Sequence, residues 1–246
     1  MLSKTHSKYI QGLHHKKMRD EENVFIAEGN KTVPELLSGG HFECKELLAT
    51  TAWLQQNSLF LQKHFHGTIH DLLPHEMEKI SALTSHGEVL AVFKKKTAVS
   101  FNAAGKISLV LDGIQDPGNL GTIIRIADWF AVKNIVCSAN CADIYNPKVV
   151  QSTMGSLGRV NVLYTDIVTW LEQNKGINAF AAALNGKNVQ ECRGMKEGVI
   201  VIGNESKGIS DEVMSLCREK VTIPKMGEAE SLNAAVATGI ILSHIL

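Results

Sequence analysis

Apolar positions in the carboxyl-terminal part of the chain gather into short runs. Residues 107–111, 135–137, 160–164, 179–183, 199–202 and 221–223 are each mostly apolar and end at turn-forming or polar residues. Continuous runs of this length predict strands buried on both faces, and the intervening stretches have helical spacing. Strands alternating with helices predict an α/β domain built on a mostly parallel sheet. In residues 117–131, Leu120, Ile123, Ile124, Ala127 and Ala131 form one apolar stripe, and Arg125 falls off it. Residues 232–246 are apolar almost all round, which requires burial, either as a core helix or against another subunit. Ser231 is the expected N-cap of that helix, and Ser210 the expected N-cap before Asp211-Glu212.

Before residue 94 the pattern is mixed. Val24-Phe25-Ile26-Ala27-Glu28-Gly29 precedes an apolar helix, and residues 89–93 read as a strand. Lys94-Lys95-Lys96-Thr97 and Asn102-Ala103-Ala104-Gly105-Lys106 are polar or small and predict a connector. The expected division is therefore a smaller α/β domain over 1–93, a linker over 94–106 and a second domain over 107–246. A chain of 246 residues has room for two domains of ordinary size.

Composition narrows this picture. With 25 basic and 25 acidic side chains the net charge is zero, which argues against a nucleic-acid binder relying on global charge. Distribution matters more: residues 1–19 carry no acid but include Lys4, Lys8, Lys16, Lys17 and Arg19, interleaved with Tyr9, His6, His14 and His15. Such a segment suits RNA phosphates and base stacking, or else forms a solvated amphipathic helix. Five scattered cysteines without C-x-x-C spacing read as reduced thiols. His64, His66 and His70 have loose ligand-like spacing but no recognised partner pattern, so no metal is expected. No apolar run is long enough to span a bilayer and no secretory leader is evident, so a soluble cytoplasmic protein is expected.

Three polar loops follow strand-like runs: Gln115-Asp116-Pro117-Gly118-Asn119-Leu120-Gly121, Gly203-Asn204-Glu205-Ser206-Lys207-Gly208, and the stretch from Ile223-Pro224 to Ser231-Leu232-Asn233. Each is readable as an ordinary turn. Ligands of open α/β sheets, however, bind beyond the carboxyl ends of the strands, where these loops lie. Arg125 is available to a substrate or is simply a solvated helix-surface arginine.

Taken in order, Asn119-x-Gly121-x-x-x-Arg125, Gly203-Asn204-Glu205-x-x-Gly208-x-Ser210, and Ile223-Pro224 with Ser231-Leu232-Asn233 resemble the three motifs of the SpoU (TrmH-like) RNA ribose 2′-O-methyltransferases. The resemblance covers about residues 107–246. The amino-terminal part looks more loosely like the substrate-binding domain often fused to such enzymes. Departures are small: Ala234 follows Asn233 where valine is frequent, Ile126 follows Arg125 where threonine is common, and Gly158 precedes Arg159 where a bulkier residue is usual.

The resemblance implies a carboxyl-terminal trefoil knot, one of the rare exceptions to unknotted topology. It also implies methyl transfer from S-adenosylmethionine to a ribose 2′-hydroxyl of ribosomal or transfer RNA, in a homodimer paired through the knotted domain. On this resemblance Leu184, Gly203, Ile223 and Leu232 hold the cofactor, and Asn119, Arg125, Glu205, Ser231 and Asn233 surround the ribose and its phosphate. The alternative is an RNA-binding protein that kept the fold without chemistry. A nucleotide-binding oxidoreductase fits a parallel sheet, but no G-x-G-x-x-G follows the first strand of this domain.

Overall fold

The computed structural model describes residues 2–83, 87–97 and 100–246. The chain divides into two compact units, one of Met1–Thr97 with Tyr145–Gly158 and the other of Ala98–Ile144 with Arg159–Leu246.

The first unit runs α1 (Lys4–Gly12), α2 (Lys16–Glu21), β1 (Val24–Glu28), α3 (Thr32–Gly39), β2 (Cys44–Thr50), α4 (Thr51–Gln56), α5 (Ser58–His64), β3 (Thr68–Leu72), α6 (Pro74–Ile80) and β4 (Val89–Lys94). Its sheet has the order β1-β4-β2-β3, antiparallel except for the β2–β3 pair. Strand β1 is buried at every position, as its apolar run requires. Ile10 and Leu13 from the amino-terminal helical region join Ile26, Leu48, Leu72 and Leu90 in one core, so the apolar stripe of α1 is spent inside this unit.

In the remaining sequence β5 (Ile107–Asp112), α7 (Pro117–Trp129) and β6 (Asn134–Cys137) come first. Helix α8 (Pro147–Thr153) follows but belongs to the first unit, where it packs on β1 and the Tyr145 ring sits 4.9 Å from that of Phe25. The chain then forms β7 (Asn161–Tyr164), α9 (Ile167–Gln173), β8 (Ala179–Asn188), β9 (Gly198–Gly203), α10 (Asp211–Ser215), β10 (Glu219–Thr222) and α11 (Ala234–Ile245). The second sheet has the order β10-β8-β9-β5-β6-β7 and every pairing is parallel. Its central strands β5 and β9 are buried on both faces, which is why their sequence shows apolar runs rather than alternation.

Three local expectations need correction. The second half of the predicted linker is packed, not free: Ala103 is fully buried in the core of the second unit and the Gly105 amide donates to Glu197. Ala131 lies past the end of α7 at φ 58° and is exposed, so the apolar stripe ends at Ala127. The last helix starts at Ala234 and is capped by Asn233, not Ser231.

Candidate functional site

The site is built at the carboxyl ends of β8, β9 and β10. Strand β8 pairs with β9 only through Ala181, and its register against β10 jumps from Lys220↔Ala181 to Val221↔Lys187. The intervening residues therefore loop away from the sheet, and Leu184 stands 66 % exposed on that loop although it is apolar. The Thr222 hydroxyl donates to the Leu184 carbonyl and fixes the loop against β10.

Beyond β9 the chain folds back sharply, with Asn204 and Gly208 exchanging backbone hydrogen bonds at 2.9 Å. Gly203 permits this, since a Cβ there would lie 2.3 Å from the carbonyl carbon of Gly208. Asn204 ties the turn down twice: its Oδ1 accepts from the Ser206 and Lys207 amides, and its Nδ2 donates to the Gly113 carbonyl at 2.7 Å. Ser210 does not cap α10 through its side chain; its hydroxyl and amide both donate to Asp112 Oδ2 at the end of β5.

Between these loops lies a cleft of about 760 Å³, within the range of small-molecule sites. Leu184, Gly203, Ile223 and Leu232 all line it, as do Glu205 and Ser231. Its apolar wall includes Ile202, Ile209, Val221 and Ile241, while the loops supply peptide groups and the lysines Lys207 and Lys225. An apolar cleft edged by backbone donors and acceptors suits a small ligand with both apolar and polar parts.

Three loops meet at the rim. Asn119 Nδ2 donates to Glu205 Oε1 at 2.6 Å, and Asn233 Nδ2 donates to Asn119 Oδ1 at 2.8 Å. Asn233 Oδ1 accepts from the Ala235 and Val236 amides, so one side chain caps α11 and reaches α7. The first turn of α7 is set by Asp116, whose carboxylate accepts from the Asn119 amide. Arg125 is exposed, and no hydrogen bond or ion pair of its side chain is found among the described residues. It stands one turn before Trp129, which is 85 % exposed, so both face outward from the same side of α7.

The amino-terminal cations divide. Lys4 and Lys8 are exposed on α1, whereas Lys16 and Lys17 form i,i+4 ion pairs with Asp20 and Glu21. Arg19 is only 1 % exposed and does not face solvent: its Nη1 donates to the carbonyls of Leu13 and His14, satisfying groups left open where α1 ends. An arginine this buried is a structural tie, which corrects its expected place on an RNA-facing surface. Arg159 pairs with Asp128, its Nε 2.7 Å from Oδ2. Among the described residues, of the loosely spaced histidines only His70 enters a cluster, and with His6 and Glu46 rather than with His64 or His66.

Sequence reasoning missed Asp112 and the Gly113 carbonyl, which with Asn204 hold the Gly203–Gly208 turn in place. Asn204 was visible inside a motif. The role of Asp112 at its strand end appears only once β5 and β9 are neighbours. Behind that strand end, Cys141 is held down to about 6 by a hydrogen bond from Cys137, against its own burial and with help from Ser138; the Cys137 thiol is pushed up.

An all-parallel α/β unit with a loop-built cleft and a polar cluster drawn from three loops defines a ligand-binding site of an α/β protein that lacks the glycine fingerprint of dinucleotide-binding folds. Residues 106–243 match the SpoU rRNA methylase family and residues 4–91 match the MRM3-like substrate binding domain. The chain belongs to the SpoU rRNA methylase family. It is 29 % identical over 236 residues to the 23S rRNA (guanosine(2553)-2′-O)-methyltransferase RlmP of Bacillus subtilis, covering 95 % of this chain and 92 % of that one. A solved protein from Porphyromonas gingivalis assigned to the TrmH family of RNA methyltransferases is 34 % identical, with a TM-score of 0.87 over 100 % of this chain and 98 % of its own. An AdoMet-bound rRNA methyltransferase from Sinorhizobium meliloti is 27 % identical, with a TM-score of 0.86 over 100 % and 96 % of the two chains.

Proposed function

We propose that the protein transfers a methyl group from S-adenosylmethionine to a ribose 2′-hydroxyl of ribosomal or transfer RNA. The observation that carries this reading is the hydrogen-bonded chain Glu205–Asn119–Asn233, which joins residues from three separate loops at the rim of an apolar cleft. The cleft fits the cofactor: exposed Leu184 and the peptide groups after Gly203 and Ile223 offer apolar and polar contacts to an adenosyl group. S-adenosylmethionine, when bound, supplies a sulfonium methyl group already activated for transfer.

The protein's task is then positioning and charge stabilisation. Asn119 and Asn233, locked by their mutual hydrogen bond, orient the ribose, with Glu205 held beside them and Ser231 adding a hydroxyl at the cleft edge. Arg125 stabilises the charge that develops on the 2′-oxygen and binds the adjacent phosphate; as the O–CH3 bond forms and the S–CH3 bond breaks, S-adenosylhomocysteine leaves and the hydroxyl proton passes to solvent. A guanidinium offers five donors and no acceptor, so its part is to donate to the developing charge.

This reading includes a homodimer, through which Arg125 reaches the site of the second subunit. Supporting it are the exposed apolar side chains Trp129 on α7 and Val236 on α11, two helices packed against each other. It also takes the loops after β8 as a trefoil knot, supported by the parallel order of β10, β8, β9 and β5 and by the Gly194 and Met195 amides that donate to the Ile245 carbonyl near the chain end. Lys4 and Lys8 contribute to RNA binding, and Lys16 and Lys17 to a lesser degree because of their ion pairs. A cytoplasmic location follows from an RNA substrate of this kind; no helix among the described residues is long and apolar enough to cross a membrane.

Mass-spectrometric mapping of ribose methylation in total RNA, with and without the protein, tests the proposal. One methylated nucleotide that disappears with the protein and returns with it is the expected result. An unchanged methylation map together with intact RNA binding would instead support the non-catalytic alternative.

A further inference from the structure

We infer that the amino-terminal unit carries a site for a single divalent transition-metal ion of the zinc class, formed by His6, Glu46 and His70. The three residues come from α1, β2 and β3, and their ligand atoms all lie within 4.8 Å of one another. Both imidazole Nε2 atoms stand 2.9 Å from the same oxygen, Oε2 of Glu46. The sheet explains the convergence. In the parallel β2–β3 pair Leu48 lies opposite His70, so Glu46 is two residues from that position and on the same face. That face receives α1, whose Ile10 packs with Leu48 and Leu72, and α1 brings His6 over the pair.

The chemistry fits a borderline cation. Two imidazoles and one carboxylate are a ligand set used for Zn²⁺ and Fe²⁺, with remaining positions taken by water. Tetrahedral bonds of about 2.0–2.1 Å place neighbouring ligand atoms roughly 3.3 Å apart, so each Nε2–Oε2 distance of 2.9 Å needs to lengthen by only a few tenths of an ångström. Without an ion, each Nε2 must donate to Glu46, because a carboxylate oxygen only accepts. Metal binding moves those protons to Nδ1 and leaves Nε2 lone pairs facing the ion. The His and Glu side chains are 29 % and 13 % exposed, which leaves a path for the ion from solvent while the site remains mostly desolvated. The ion would clamp α1, the helix bearing Lys4 and Lys8, to the edge of the sheet.

The test uses the full chain without an affinity tag and the metal alone. Titration with Co²⁺ is followed by visible absorption, and Zn²⁺ is then used to displace it. One equivalent bound in the micromolar range, lost in both His70→Asn and Glu46→Gln while the far-ultraviolet dichroism is preserved, supports the site. A rise in Tm on adding Zn²⁺ to the wild type but not to the variants supports it further. If His70→Asn does not fold, His6→Asn, changed on the amino-terminal helix, provides the same comparison. The inference is overturned if no saturable one-equivalent binding occurs, or if binding persists unchanged in the variants and is therefore held elsewhere.

Discussion

At the scale of single residues, the side chain with the most telling surroundings is Arg125, because no partner holds it among the described residues. A surface arginine left alone on a helix contributes little to stability, so its replacement isolates a functional role. Arg125→Lys keeps the charge and loses the planar fork. We expect methylation kcat to fall by about 10²–10³-fold, the scale on which one charge-stabilising donor acts, with S-adenosylmethionine affinity unchanged. Single-turnover kinetics and calorimetry on the variant measure both, and near-normal turnover would remove the geometric role. Asn233 separates two functions within one side chain. Asn233→Asp keeps the oxygen that caps α11 but loses the Nδ2 donor to Asn119. Its Tm should stay near that of the wild type while activity drops; Asn233→Ala should lose activity and also about 0.5–2 kcal/mol of stability with the cap. A thermal melt beside an activity assay distinguishes these outcomes.

At the scale of elements, α11 shows why an all-round apolar helix is ambiguous. Ala234, Ala235, Thr238, Ile241, Leu242 and Ile245 are buried within the subunit, and the helix end is anchored by the Gly194 and Met195 amides. Val236 remains 51 % exposed and Ile240 is half-buried. The core reading holds for one face, and the proposed dimer would use the other, where Val236 is exposed. Ile240→Asp should leave a folded protein that sediments as a monomer with reduced activity. Ile241, at 1 % exposure, is the wrong position for that experiment, since an unpaired buried carboxylate there destabilises the fold itself. Analytical ultracentrifugation of wild type and Ile240→Asp at micromolar concentration is the check, and a fully active wild-type monomer would refute the dimer.

At the scale of the molecule, the two units have different tasks in the proposed function. The first carries Lys4 and Lys8 on an exposed helix face, and the second holds the whole cleft. The double variant Lys4→Glu, Lys8→Glu should weaken RNA binding and flatten its salt dependence, because counterion release scales with the number of phosphates contacted. S-adenosylmethionine binding should not change. Filter binding across a salt series, with calorimetry on the same preparation, tests this; undiminished RNA affinity would move the RNA surface elsewhere.

The apolar runs of β5 and β9 are legible because burial on both faces leaves a signature that needs no partner to be seen. The ordered motifs likewise contain Gly203, Glu205, Ile223, Ser231 and Leu232, which line the cleft, whereas Arg125 is not among its lining residues; glycine, asparagine and proline mark loops whose backbone is constrained locally. Tertiary structure decided what depends on distant pairing. Sequence could not show that Arg19 turns inward to the carbonyls ending α1, that residues 145–158 join the first unit, or that Asn233 rather than Ser231 caps the last helix. Nor could spacing reveal His6, Glu46 and His70 as neighbours, because they are 40 and 24 residues apart and meet only through strand register and helix packing. Local patterns record which backbone each segment prefers; which side chains share a site is set by long-range contacts that no short window contains.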